Sequence, residues 1–540
     1  MSPPLTDLVT TDERRAAHLA AGWWDHTTLP GQVAAHAATR PDATAVVDGW
    51  GRHSYADLAS AASAIAVALA ERGVVAGDVV SIQLPNRFEG VVAAVGALSL
   101  GAVINPLLPN YRSRELAHVF ATARPAAIFT PADLRGFDHR ALVAEVIAAT
   151  DVSPIHVVVG GDPGAGGLAY DSLLGAGSAG PFVAGPADVV SELIFTSGTE
   201  AQPKAIMHTE QTTNFSVRVA HTDLGVGPDD VVWMPSPIGH STGFNYGVRF
   251  ALYHGLPLVL QDRWDGDVAA ALVAEHRCSY TLAATTFLQD LIGAATRADV
   301  DLSCLRFFGC GGAPVPPRLV DEAGGHGVQV LRLYGSTEVL VGSWNRPWST
   351  PAQRRATDGA AMSHVQLEAR DADGAVVGPG EEGELFTRGP NTCVGFFADP
   401  ERTAATFGPD GFVRSGDLVT IDGDGHLTVV GRKKEIIIRG GMNIAPREIE
   451  ELIAAFPEVE RVAVVGVPDE RLGELMCACV VPVADVRLDL DTVVQRLRDA
   501  GLASYKLPQR LELLDSLPTT PSGKIQKHEI VAALLGGSGT

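Results

Sequence analysis

The sequence predicts an α/β protein: a large N-terminal domain of two layered α/β subdomains plus a small β-barrel, then a small α+β C-terminal domain. Three observations carry this. Short apolar strands alternate with Ala-rich helical stretches through Gly309. From about Val365 short strands separate turns at Gly374, Gly380, Gly383, Gly411 and Gly425, the texture of a small barrel or distorted sheet. After Gly431-Arg432-Lys433-Lys434 the strand and helix pattern starts again. At 540 residues the chain is too long for one core. Residues 1–431 form the large domain and 435–540 the small one.

In chain order, Trp23 to Tyr55 holds an amphipathic helix around Val33, Ala37 and Pro41, then a strand at Ala45–Asp48 running into a turn. Tyr55 to Arg72 has helical spacing, and Val79 to Leu84 is a strand. The apolar run Val91 to Pro109 has nearly the length of a membrane span. Gly96, Ser99, Gly101, Asn105 and Pro106 interrupt it, so it reads as a buried helix to Leu100 and then a buried strand. Ala126–Thr130 and Ile155–Val159 are further buried strands. Gly160 to Gly167 lacks the strand and helix context of a dinucleotide loop and reads as a surface loop. A second layer takes strands at Val231–Met234, Leu258–Leu260, Tyr280–Leu282 and Phe307–Gly309. Asp422-Gly423-Asp424-Gly425 lacks the spaced ligands of a calcium loop and reads as a hairpin turn. The last domain reads as a strand at Ile436–Ile438, a helix at Pro446–Phe456, strands at Val462–Val467 and Cys477–Val483, and a helix at Val493–Ala500.

A net charge of −22 argues against nonspecific binding to nucleic acid or anionic lipid. The six cysteines (278, 304, 310, 393, 477 and 479) form no C-x-x-C pair, and scattered thiols fit a reducing, cytoplasmic location. Cys477 and Cys479 fall on one face of a strand as packing residues. Asp7, Asp12, Glu13, Arg14 and Arg15 precede any apolar run, which is not the pattern of a signal peptide. No transmembrane segment is expected.

The chemistry centres on Ile194-Phe195-Thr196-Ser197-Gly198-Thr199-Glu200-Ala201-Gln202-Pro203-Lys204-Ala205. A buried strand ending in hydroxyls and glycine can aim N–H groups at an anion, and Lys204 adds a point charge. Tyr334-Gly335-Ser336-Thr337-Glu338 offers an aromatic face, hydroxyls and a carboxylate. Arg414-Ser415-Gly416-Asp417-Leu418 and Pro521-Ser522-Gly523-Lys524-Ile525 complete the set, the latter a turn that can project its lysine.

These segments, in this order, resemble the signature motifs of the adenylate-forming superfamily, which comprises acyl-CoA synthetases, stand-alone adenylation domains and luciferases. The resemblance spans nearly the whole chain and implies ATP, Mg²⁺ and CoA as cofactors. By resemblance, Thr196, Ser197, Gly198, Thr199 and Lys204 hold the β- and γ-phosphates. Gly312, Ala313 and Pro314 wall the purine slot, with Gly311 at the acyl pocket floor. Tyr334, Gly335, Ser336 and Thr337 meet adenine and the α-phosphate, and Glu338 with Thr196 meets the metal. Asp417 and Arg432 hold the ribose, Lys434 is the hinge of a mobile C-terminal domain, and Lys524 contacts the acid and the α-phosphate. Gly440 and Gly441 belong to the loop that passes pantetheine. Pro237-Ile238-Gly239-His240-Ser241-Thr242-Gly243-Phe244 matches a family segment in which His240 borders the carboxylate. Thr337, Glu338, His240 and Lys524 are the expected catalytic residues.

Two departures from the common motif stand out: Glu200-Ala201 replaces Thr-Gly, and Ala205 replaces Gly. They raise the alternative of a catalytically reduced acyl-nucleotide binding protein, against which intact Glu338, Asp417, Arg432 and Lys524 argue. Ile238 to Tyr246 contains no acidic residue. An ammonium buried there unpaired would be costly, which argues against an α-amino acid. His240, Gly243, Phe244, Thr286, Phe287, Cys310 and Gly311 are the expected acyl pocket. Medium-chain, alicyclic or aryl acids are the expected substrates, and the 105–111 run with the variant loop resembles medium-chain or cyclohexanecarboxylate-type ligases. The acyl acceptor is CoA, or alternatively a separate carrier protein or another nucleophile. A homodimer is one expected assembly.

Overall fold

The computed structural model describes residues 9–175, 185–196, 203–313, 315–439, 442–469, 472–483, 486, 488–500, 502, 506–520 and 523–536. The expected phosphate-loop residues Ser197, Gly198 and Thr199, together with Pro314, Gly440 and Gly441, lie outside the described residues.

The first α/β layer is a seven-stranded sheet in the order Lys204–Thr209, Val190–Thr196, Val103–Pro106, Val79–Ile82, Ala127–Pro131, Ile155–Val159, Gly167–Ala169. Its middle strands pair in parallel. They are buried along their length apart from half-buried Ile155, which explains why they read as unbroken apolar runs. The membrane-length run splits as expected, into the helix Phe88–Ser99 and the strand Val103–Pro106. That helix lies close against Tyr55–Glu71: a Cβ on Gly96 would stand 2.8 Å from the Ala62 carbonyl oxygen. Tyr55–Glu71 begins with a capping box, Ser54 and Asp57 exchanging backbone and side-chain hydrogen bonds. No helix among the described residues is long and apolar enough to cross a membrane.

The second layer has nine strands in the order Ala360–Ala361, Leu340–Trp344, Gln329–Ser336, Phe307–Cys310, Tyr280–Ala283, Val232–Met234, Leu258–Leu260, Thr44–Asp48, Gly51–Ser54. The N-terminal strand Thr44–Asp48 thus belongs to this second sheet, parallel to Leu258–Leu260. Both faces of the sheet are covered. Met234, Tyr280, Leu282, Phe307, Leu331 and Leu333 face one core, while Trp233, Ala283, Phe308, Cys310 and Val330 face another. Beyond Val365 an antiparallel four-stranded sheet runs Gln366–Arg370, Glu382–Arg388, Val413–Ile421, Leu427–Arg432. Residues 422–425 close its last hairpin, with Gly425 at φ +82°.

The small domain is built on Met442–Ile444, Ile437–Arg439, Gly473–Pro482, Val459–Asp469 and Arg510–Leu513, with its own core around Ile449, Ile453, Val464 and Leu497. The helix Pro446–Ala454 and the final helix Lys527–Gly536 pack on it. Cys477 and Cys479 share a strand face with sulfurs 3.8 Å apart, both buried as free thiols.

Candidate active site

The strand Val190–Thr196 ends at Thr196, which stands opposite Lys204 in an antiparallel pair. Both ends of the connecting loop are therefore fixed in the sheet. Strand alternation sends Ala205 and Met207 into the core with Leu193 and Phe195, leaving Lys204 on the other face. There Lys204 Nζ donates to Glu338 Oε1 at 2.8 Å. Burial alone would push the Glu338 carboxyl up, but the charge and hydrogen bond of Lys204 hold it below the usual carboxylate value.

Among the described residues no group of three or more His, Cys, Asp or Glu side chains could hold a metal unaided. Mg²⁺ needs less, because it keeps waters and takes phosphate oxygens beside one or two protein ligands. Glu338 and Thr196 fit that demand. Thr196 Oγ1 is buried without a hydrogen-bond partner, a hard oxygen donor left over at the mouth of the loop.

Tyr334 to Ser336 complete the strand Gln329–Ser336, and the chain turns back at once as Leu340–Trp344. The turn needs glycine at 335, whose Cβ would lie 2.3 Å from the Leu340 carbonyl oxygen. Tyr334 Oη donates to Asp417 Oδ2 at 2.8 Å. Arg432, directly across the hairpin from Asp417, donates to Oδ1 at 2.8 Å. Each carboxylate oxygen retains a free lone pair, so Asp417 can still accept from a sugar hydroxyl.

Lys524 enters from the small domain on a tight turn. Gly523 N donates to Thr520 O at 2.8 Å, and Thr520 N donates to Lys524 O at 2.7 Å. Gly523 has φ +83°, and a Cβ there would lie 2.5 Å from Thr286 Oγ1. The lysine faces Arg432, Glu435 and Asp417 in the cleft between the domains. Burial, then the Arg432 charge, lowers its amine to about 8. The placement is held by contacts across the cleft: Arg447 to Asp358 at 3.3 Å, Arg461 to Asp290 at 3.7 Å, and Gln289 Nε2 to the Glu460 carbonyl oxygen at 3.2 Å. Lys434 lies in the connecting turn Lys433–Glu435.

His240 caps the short helix Ser241–Gly243, its Nδ1 accepting from Thr242 N at 3.2 Å. Burial first, and then the charge of Lys524, pushes the imidazole down to about 4. The ring is neutral with its proton on Nε2, so it can donate to a carboxylate without adding charge. A Cβ on Gly243 would collide with the Pro237 carbonyl oxygen at 2.1 Å, so the segment admits only glycine there. Phe244 follows in a π-helical turn, Phe244–Arg249, an element often found at functional sites.

The expected pocket residues do not all converge. Phe244 belongs to the core on one face of the nine-stranded sheet, whereas Cys310 and Phe287 belong to the core on the other. The Cys310 thiol lies 3.6 Å from Thr285 Oγ1 and points away from Phe244. Strand alternation is the reason: Gly309, two positions from Gly311, faces the Phe244 side. Thr286 stands at the domain contact, against Gly523. On the Phe244 side a small, almost wholly apolar cavity lies among Leu224, Tyr280, Leu282, Gly309, Leu331 and Leu333. Gly311 packs on Leu333, and Gly312 has φ +78°, leaving Ala313 to lead into the next segment.

Two positioning residues escaped the sequence reading. Asn86 donates to the carbonyl oxygens of Met234 and Ser236 and accepts from Ile238 N at 2.8 Å, which pins the approach to His240. Asn391 donates to the Val341 carbonyl oxygen at 2.9 Å behind Glu338. Neither lies in a recognisable motif; a lone buried amide in an apolar setting was the available signal.

Comparison with known proteins settles the family. Residues 33–397 match the AMP-binding enzyme family, and residues 448–524 match the AMP-binding enzyme C-terminal domain. The chain belongs to the AMP-binding enzymes. This AMP-binding enzyme is 35% identical to the medium-chain fatty-acid–CoA ligase of Escherichia coli over 529 residues, 96% of this chain and 93% of that one. It is 34% identical over 534 residues to the salicyl-AMP ligase / salicyl-S-ArCP synthetase of Mycobacterium tuberculosis, covering 97% of this chain and 93% of that one. Among solved structures, ATP-bound MatB from Rhodopseudomonas palustris superposes with a TM-score of 0.85 at 27% identity, over 94% of this chain and 99% of that chain.

Proposed function

We propose that this enzyme activates a carboxylic acid with ATP, releasing pyrophosphate, and passes the acyl group from the acyl-AMP to CoA. The observation that carries this reading is the arrival of Lys524 from the small domain beside the Asp417–Arg432 pair of the large domain. In the first step a carboxylate oxygen attacks the α-phosphorus, and the bond to the pyrophosphate oxygen breaks. In the second the CoA sulfur attacks the acyl carbon, AMP leaves, and the thiol proton is lost.

Each residue has a role in that chemistry. Lys204 and the loop it closes hold the outer phosphates. Asp417 and Arg432 fix the ribose, Tyr334 lies along the base, and Gly312 and Ala313 border it. Thr337 faces the α-phosphate. Bound Mg²⁺ would neutralise phosphate charge at Glu338 and Thr196. Lys524 binds the carboxylate and the α-phosphate as negative charge redistributes. Neutral His240 borders the acid. Turning about Lys433–Glu435 would withdraw Lys524 and bring the 440–441 segment to the acyl-AMP.

The acid belongs to the medium-chain, alicyclic or aryl class. Buried Phe244 and the acid-free segment Ile238 to Tyr246 around it support an apolar acyl group. Glu192, whose carboxylate reaches Asn245 next to Phe244, is committed to Asn245 and Arg249. Pyrophosphate exchange across a panel of acids tests this: exchange with apolar acids and none with α-amino acids is expected, and exchange confined to amino acids would overturn it. A second reading, transfer to a carrier protein, is favoured by the Mycobacterium tuberculosis relative's name; it is separated from the first by whether CoA consumes the acyl-AMP.

A further inference from the structure

We propose that His208 is a positioning residue for the adenylation step, tying the strand that leaves the phosphate loop to the Thr337 carbonyl and so setting where Thr337 and Glu338 meet the phosphates. The inference rests on the functional reading above and adds to it a residue outside the motifs. On the strand Lys204–Thr209, Lys204 and His208 share a face by alternation. They reach two adjacent residues of one turn: Lys204 Nζ bonds Glu338 Oε1 at 2.8 Å, and His208 Nε2 lies 2.7 Å from Thr337 O. A carbonyl can only accept, so Nε2 carries the proton and Nδ1 must accept. The polar atom facing it is Thr212 Oγ1, 3.0 Å away in the first turn of the helix Glu210–Leu224. That hydroxyl also lies 3.0 Å from the Thr209 carbonyl oxygen, which accepts from Thr213 Oγ1 at the same distance. The Thr337 carbonyl therefore fixes the tautomer, and the two contacts together set the ring plane.

The far side of the same turn is pinned through its backbone. Cys393 N donates to Glu338 O at 2.7 Å, and Val341 N donates to Tyr246 Oη at 2.8 Å. His208 is fully buried and makes the bond that joins this turn to the phosphate-loop strand at Thr337. Without it the peptide carrying the Thr337 hydroxyl and the Glu338 carboxylate keeps its distal anchors but loses its register to Lys204. A buried histidine that served packing alone would not couple to the nucleotide.

The test uses His208→Phe, which keeps ring volume without a donor, and His208→Gln, whose amide nitrogen can still donate to the Thr337 carbonyl. Three quantities are read: pyrophosphate exchange, acyl transfer from supplied acyl-AMP to CoA, and calorimetric affinity for α,β-methylene ATP with Mg²⁺ and with EDTA. His208→Phe is expected to lower exchange by roughly 10- to 100-fold, as misplacement of an otherwise intact site does. It should abolish the gain in analogue affinity that Mg²⁺ gives the native enzyme and spare acyl transfer, and His208→Gln should restore most of both losses. Equal losses in both half-reactions, an unchanged Mg²⁺ gain, or a glutamine variant no better than phenylalanine would overturn the proposal. Thr212→Val covers failure of the first variant to fold: it removes the hydroxyl that orients the ring at Nδ1 and should give the same pattern more weakly, while an unchanged pattern counts against the proposal. Native enzyme that binds the analogue but exchanges with no acid would refute the functional reading and still leave the Mg²⁺ arm to decide the role of His208.

Discussion

Replacing Lys524 with alanine will lower the rate of acyl-AMP formation by about 10²–10³-fold, the loss usual for one preorganised donor to developing charge. Transfer of the acyl group from supplied acyl-AMP to CoA will be nearly unchanged, because the role proposed for the lysine lies in the first step. The geometry also sets a pH dependence. The amine works as a cation, and burial with the Arg432 charge lowers it to about 8. The cationic fraction of the free enzyme therefore falls as pH rises through about 8, and kcat/KM for adenylation should fall with it. Bound triphosphate favours the cation, so the corresponding limb in kcat lies higher. Lys524→Arg should retain partial activity and move the limb out of range, since a guanidinium stays charged. Pyrophosphate exchange against pH in the three proteins measures this. Unchanged acyl-AMP formation in the alanine variant would contradict the assignment.

Arg249→Met will destabilise the large domain by about 3–5 kcal/mol, the usual consequence of stranding buried charge. Arg249 is fully buried and binds Glu210 Oε2 at 2.8 Å, Asn214 Oδ1 at 2.9 Å and Asn245 Oδ1 at 3.0 Å, with Glu192 Oε2 at 3.5 Å. Glu210 Oε2 also accepts from Leu29 N at 2.9 Å. The network thus joins the phosphate-loop strand, the helix that follows it and the π-helical turn carrying Phe244. Burial outweighs Arg249 at Glu192 and raises its carboxyl from 4.5 to about 7. Between those values the folded chain holds a proton that the unfolded chain releases. Stability therefore declines as pH rises across that window and levels off above it, and Glu192→Gln should remove the slope. Chemical denaturation followed by tryptophan fluorescence at several pH values reads both effects. A methionine variant within about 1 kcal/mol of native, the scale of an ordinary surface change, would contradict this picture.

What the sequence made legible follows physical scale. Buried strands such as Ile155–Val159 and the helix Pro446–Ala454 announce themselves by apolar runs and periodicity. The motifs of the candidate site stood out because phosphate chemistry calls for glycine, hydroxyl and lysine at fixed spacing. Non-local pairing was not: nothing within Thr44–Asp48 points to Leu258–Leu260 as its partner. In Phe307-Phe308-Gly309-Cys310 both faces are apolar, so sequence could not tell that Cys310 and Phe244 belong to cores on opposite faces of the sheet. The glycine at 335 obscures, in the sequence, the strand to which Tyr334 to Ser336 belong. Asn86, Asn391 and His208 act by bonding to backbone atoms far along the chain, and such partners leave no pattern in the residues beside them.

The most direct test incubates the enzyme with ATP, Mg²⁺ and each acid of the panel, with and without CoA, and reads the products by mass spectrometry. The two-step mechanism predicts an acyl-CoA mass and an equal yield of AMP when an accepted acid and CoA are both present. Accumulation of acyl-AMP that CoA leaves unchanged would contradict transfer to CoA and shift the assignment to another acyl acceptor.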